Sequence, residues 1–171
     1  MPSGDRPILL LDVDGVLNAL KRTLPEGWKQ GTFHGFVLSW DPTITARLRR
    51  LHESGRVEIQ WLTTWTTDAD QLLAEPMGLP RGLKVHDREE VAPTGYSWTA
   101  GGLSGWWKLA AAIAVVEADP DRRIIWIDDD LAEQGEDTDE WLAANPHVLV
   151  IAPDLLEGLT HEQLDSIEAW L

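Results

Sequence analysis

The run Ile8 to Asn18, Ile-Leu-Leu-Leu-Asp-Val-Asp-Gly-Val-Leu-Asn, limits what this chain can become more than any other stretch. Its short apolar run leaves no room for a helix before the Gly and fits a buried strand of a parallel sheet, both of whose faces are covered. Asp12 and Asp14 fall where that strand ends. Two residues apart, they point the same way for as long as strand geometry persists, and Gly15 lets the chain turn at once. Open α/β sheets place their ligands beyond the carboxyl ends of the strands. Paired carboxylates there repel, so the arrangement calls for a cation, a shared proton, or both. The same residues also suit a simple turn after a strand, since Asp and Gly are turn formers.

Composition narrows the chemistry. A chain of 171 residues fits one domain with a sizeable core. It contains no Cys, which excludes thiol nucleophiles, Cys-rich zinc sites and disulfides and suits a reducing interior. The polar N-terminus shows no secretory signal, and the apolar run Leu109 to Val116 is too short to span a bilayer. The expectation is a soluble, cytoplasmic protein with no membrane partner. No feature fixes an oligomeric state, and a monomer is assumed. A formal net charge of -15 argues against a general polyanion binder, because nucleic-acid affinity rests largely on Lys and Arg. The local gathering of Arg47, Arg49, Arg50 and Arg56 reads as a solvated helix face. Ten Trp against two Phe and one Tyr suggest core filling and stacking on a flat ligand.

Along the chain, Gly27, Gly31 and Gly35 alternate with Trp28, Phe33, Phe36 and Trp40. Residues 19–41 are therefore expected to form a flap hairpin overhanging Asp12 and Asp14. Asp41-Pro42 opens a helix with Ile44, Leu48 and Leu51 inward, and Gly55 ends it. Val57 to Leu62 reads as the second strand, followed by Thr63-Thr64-Trp65-Thr66-Thr67. Thr63, at the strand tip, is suited to donate to an anion, whereas Thr66 or Thr67 suits a helix N-cap. Residues 76–105 form a Gly/Pro-rich region with a short strand at Leu83 to His86, and Tyr96, Trp98, Trp106 and Trp107 could line a cleft. Trp107 to Ala118 is a helix whose first turn holds Lys108, the wrong end for a cation by the helix dipole, so that either an anion lies nearby or the Lys is simply exposed with no role. Arg123 to Ile127 is a strand ending in Asp128-Asp129-Asp130, and three acids beside Asp12 and Asp14 call for a divalent cation. Thr138 is expected to cap a helix at Asp139 to Ala144. Val148 to Ile151 is the last strand, and Thr160 with Gln163 forms a capping box for a closing helix.

Alternation of strand and helix implies an α/β three-layer fold, a central parallel sheet of about five strands with helices on both faces, in one domain over 1–171. Asp12-Val-Asp14-Gly15-Val-Leu-Asn18, a Thr after the second strand, Lys108, and an acidic strand end follow in that order. In this layout the chain resembles the haloacid-dehalogenase-like (HAD) superfamily of phosphohydrolases, with a Rossmann-like fold. Trp61-Leu-Thr-Thr-Trp65, Trp107-Lys108, Trp126-Ile-Asp-Asp-Asp130 and Gly158-Leu-Thr160 are similar to the HAD domain of Swiss Army knife RNA-repair proteins.

The resemblance implies a phosphatase acting through an aspartyl-phosphate intermediate. Asp12 is the implied nucleophile and Asp14 the general acid and base. Mg²⁺ would be held by Asp12, the backbone carbonyl of Asp14, and Asp129 or Asp128. Gly15, Thr63 or Thr64, and Lys108 would meet the phosphoryl group, with Lys108 also offsetting charge on Asp12. No large cap insertion is present, which leaves room for a bulky phosphorylated substrate such as a nucleic-acid end. The alternative class is a non-catalytic phosphate- or metal-binding module serving a partner. A glycosyltransferase with an Asp-x-Asp metal site fits poorly, because no nucleotide-binding segment precedes the Asp pair.

Overall fold

The computed structural model describes residues 6–91 and 106–171. Residues 92–105, including Tyr96 and Trp98 of the Gly/Pro-rich stretch, lie outside them. The core is a parallel sheet in the order β4-β1-β5-β6, formed by β1 (Ile8–Leu11), β4 (Glu58–Trp61), β5 (Ile124–Ile127) and β6 (Val148–Ile151). Every residue of β1 is buried, as expected of a central strand flanked by two others. Burial of each such Leu contributes roughly 1.5–3 kcal/mol.

Alternation along the strands divides the core into two layers. Leu9, Leu11, Ile59, Trp61, Ile125 and Ile127 pack against α1 (Pro42–Glu53) and α6 (His161–Trp170). On the other face, Ile8, Leu10, Ile124 and Trp126 pack against α4 (Trp107–Ala118), with Trp141 of α5 (Glu136–Ala144) behind. Trp126 stacks on Trp106 with ring centres 5.0 Å apart and meets the edge of Trp141, so several of the Trp residues are core filling. No helix among the described residues is long and apolar enough to cross a membrane.

Local signals account for most element ends. Asp41 accepts from the Thr43 N–H at 2.8 Å ahead of Pro42, and Thr160 and Gln163 exchange both capping-box bonds. Other ends depart from expectation. Among the described residues the sheet has four strands instead of about five, because the expected strand at Leu83 to His86 reduces to a single bridge between Val85 and Trp61. Helix α5 begins at Glu136, with Gly135 as its cap and Thr138 buried inside the first turn. Glu136, Asp137 and Asp139 near the amino end favour the earlier start through the helix dipole. Neither Thr66 nor Thr67 caps a helix. Thr66 adopts φ 50°, and the chain enters a π-helical turn, Ala69–Leu73, before α2 (Ala74–Met77). Pro76 lacks the amide an α-helix would bond to Leu72, which accounts for the widened turn ahead of it.

Between β1 and α1 lies an antiparallel hairpin, β2 (Lys29–Phe33) and β3 (Phe36–Trp40). Its two-residue turn takes positive φ at His34 and Gly35, the geometry that matches strand twist. The tip leans on the Thr64–Asp68 turn: His34 stacks on Trp65 at 6.5 Å, Phe36 meets it edge-on at 6.1 Å, and His34 Nε2 lies 3.1 Å from Asp68.

Candidate active site

The strands end in register. Leu11 pairs with Trp61 on one side and Ile127 on the other, so Asp12, Leu62 and Asp128 emerge at one level. Period-two alternation continues the Leu10 face through Asp12 and the Trp126 face through Asp128, toward α4. Lys108, in the first turn of α4, meets both. Its Nζ donates to Asp12 Oδ2 and to Asp128 Oδ2, each at 2.7 Å. This explains a cation at the wrong helix end: the carboxylates oppose the dipole penalty, and only 3 % of the Lys108 surface is exposed.

Asp12 is fixed further by the Val13 N–H, which donates to Oδ1 at 2.7 Å, and by the Thr63 hydroxyl. Thr63 is fully buried, while Thr64 is exposed and faces a neighbouring cavity, so Thr63 is the one beside Asp12. Asp128 Oδ1 accepts from the Asp130 N–H at 3.1 Å, and the Asp130 side chain is exposed. Oxygens of Asp12, Asp128 and Asp129 lie within 4.8 Å of one another. Gly15, with φ +70°, permits this, because a Cβ there would strike the Asp129 carboxylate.

Three carboxylates and one ammonium leave two negative charges in a largely buried site. The acids register the cost. Burial pushes Asp12 above the usual carboxylate range despite Lys108. Burial and then the Asp12 charge push Asp128 up to about 7, and burial with Asp130 and Asp12 takes Asp129 to about 6. Burial disfavours the Lys108 charge, but Asp12 and Asp128 outweigh it and raise its pKa. A set of oxygen donors short of two positive charges fits a hard divalent cation such as Mg²⁺.

Asp14 departs from the shared face expected of it. Strand β1 ends at Leu11 and the chain turns at Gly15, so the Asp14 side chain lies outside the three-carboxylate group. Asn18 Nδ2 donates to Asp14 Oδ1 at 2.8 Å, and Trp65 Nε1 donates to Oδ2 at 2.9 Å. Asn18 Oδ1 in turn accepts from the Ser39 N–H of β3 at 2.9 Å, tying the hairpin to the site. The roles of Asn18 and Trp65 escaped the sequence reading. Asn18 stands four residues past Asp14 across a Gly turn, a spacing that could have marked it, whereas the indole of Trp65 arrives from the turn after β4 and left no local signal.

Comparison with protein families matches residues 8–164 to the HAD domain in Swiss Army Knife RNA repair proteins. No curated protein and no solved structure matches the chain significantly. The family match takes in all four strands of the sheet and every residue of the acid and lysine centre, and on that extent the chain belongs to the HAD domains of Swiss Army Knife RNA repair proteins, within the HAD phosphohydrolase superfamily.

Proposed function

We propose that the protein is a Mg²⁺-dependent phosphomonoesterase working through a phosphorylated Asp12. The observation that carries this reading is the charge imbalance around Lys108, where Asp12, Asp128 and Asp129 converge with one ammonium between them. Asp12, Asp128 and Asp129, with the backbone carbonyl of Asp14, would hold the ion. When bound, Mg²⁺ supplies the positive charge that lets an anionic phosphate approach an anionic nucleophile.

An Asp12 carboxylate oxygen forms a bond to phosphorus as the ester P–O bond breaks, and the leaving oxygen takes a proton from Asp14. Water then attacks phosphorus, Asp14 takes its proton, and the Asp12–phosphorus bond breaks to release phosphate. Lys108 offsets charge on Asp12, and Thr63 donates to a phosphoryl oxygen. Asn18 and Trp65 hold Asp14 where the leaving group departs. The family's description as RNA repair adds a terminal phosphate of a polynucleotide as a candidate substrate.

Turnover of a chromogenic phosphomonoester and of oligonucleotides with 3′ or 5′ terminal phosphate tests the reading. Hydrolysis should require Mg²⁺ and stop on chelation. Mg²⁺ binding with no turnover on any ester would instead favour a non-catalytic module.

A further inference from the structure

An open cavity of about 540 Å³ adjoins the site on the side of Asp14, between the hairpin and the Thr64–Asp68 turn. Asp14 forms part of its wall, so a group attached to the oxygen that Asp14 protonates enters this space. The opposite wall is apolar and aromatic. Phe36 and Val37 are 66 % and 56 % exposed, and Phe36 meets the edge of Trp65, whose indole N–H is already committed to Asp14. Large apolar side chains held in solvent around one opening mark a surface that a ligand covers.

Charge narrows the ligand further. The ionisable side chains on the wall are Asp14, Asp68 and His34, and His34 is bonded to Asp68. No Lys or Arg lines the cavity among the described residues, and 1–5 and 92–105 contain neither residue type. A second phosphate here would face two carboxylates with no Lys or Arg to offset it, and His34 is already engaged by Asp68.

Building on the phosphomonoesterase reading, we infer that the preferred substrate carries a single phosphate on an alcohol bearing an uncharged, planar aromatic ring, which packs against Phe36 and Trp65. Nucleoside monophosphates and aryl phosphates share this chemistry. Any further phosphodiesters of a polynucleotide would have to lie outside the cavity.

Two arms test it. The first needs no turnover: adenosine and N-acetyltyrosinamide are titrated against the protein, with ribose and glycerol as controls, reading the Trp65 indole N–H resonance. The aromatic alcohols should shift that resonance and the controls should not; Phe36→Ala should weaken the aromatic ligands about tenfold, and Phe36→Tyr should restore them. The second arm compares kcat/KM for adenosine monophosphate, phosphotyrosine and glycerol phosphate. The ratio of aromatic to alkyl ester should fall about tenfold in Phe36→Ala, and which aromatic ester leads identifies the natural class. Equal binding of ribose and adenosine, or a ratio indifferent to Phe36, overturns the assignment. Absence of turnover on every ester removes the enzymatic reading alone, and the alcohol titration then decides the cavity by itself.

Discussion

Two polar networks lie on the α4 face of one sheet, one at each end of its strands, the first largely buried and the second partly so, and their charge balance differs. At the carboxyl end, Asp12, Asp128 and Asp129 share a single ammonium. Toward the amino end, Arg122 Nη2 donates to Glu58 at 2.6 Å, Gln60 Nε2 donates to Glu58 at 2.7 Å, and His86 Nε2 donates to Gln60 at 2.7 Å. There the carboxylate has a cation and the amide and imidazole satisfy each other, so the network is complete without a ligand. The first network is not. The contrast teaches that burial of charge alone does not mark a functional site; a deficit that the protein's own groups leave uncorrected does.

Removing Lys108 is the strongest way to break the comparison. In metal-free buffer at pH 8, Lys108→Met leaves two buried carboxylates with no cation and should cost roughly 3–5 kcal/mol in urea unfolding. Added Mg²⁺ should recover part of that loss, and turnover should fall roughly 10²–10³-fold even with the ion present. An unchanged unfolding midpoint would mean that Lys108 does not carry the charge balance of the site.

Proton linkage sharpens the comparison with a smaller effect, because the two ends titrate in opposite senses. Burial, helped by Lys84, lowers His86 from 6.5 to about 4. Between those values the unfolded chain binds the extra proton, so the His86 contribution makes stability rise with pH, by about 3 kcal/mol over the window. Asp128 is raised from 3.8 to about 7, so there the folded chain binds the extra proton. Its contribution makes metal-free stability fall as pH rises toward 7. The two slopes oppose each other in the wild type. Asp12 and Asp129, raised as well, act in the same sense as Asp128, so Asp128→Asn should flatten the fall in stability between pH 4 and 6.5 and His86→Gln should steepen it. Unfolding curves of both variants across that range would refute the assignment if they ran parallel.

Much of the site could be read from the chain because its signals are local. The apolar run ending at Asp12, the triple acid after Ile127 and a lysine at the wrong end of a helix each stand in a few adjacent residues, and the sheet brings them together. Asp14 was harder to place, since its direction depends on where β1 ends and on the turn at Gly15. Trp65 and the cavity beside it depend on contact between the hairpin tip and a loop distant in sequence. Thr138 misled for another reason: it suits a cap, but three acids nearby draw the helix start back to Glu136. The strand at Leu83 to His86 has the right residues, yet its pairing with β4 is limited to one bridge, Val85 with Trp61.

The central claim is that Asp12 takes up the phosphoryl group. The direct measurement is acid quenching during turnover with Mg²⁺ and a phosphomonoester, followed by peptide mass spectrometry. The account predicts one phosphoryl group on the peptide containing Asp12 and neither adduct nor turnover in Asp12→Asn. A phosphoryl group on another residue, or full turnover by Asp12→Asn, would contradict it.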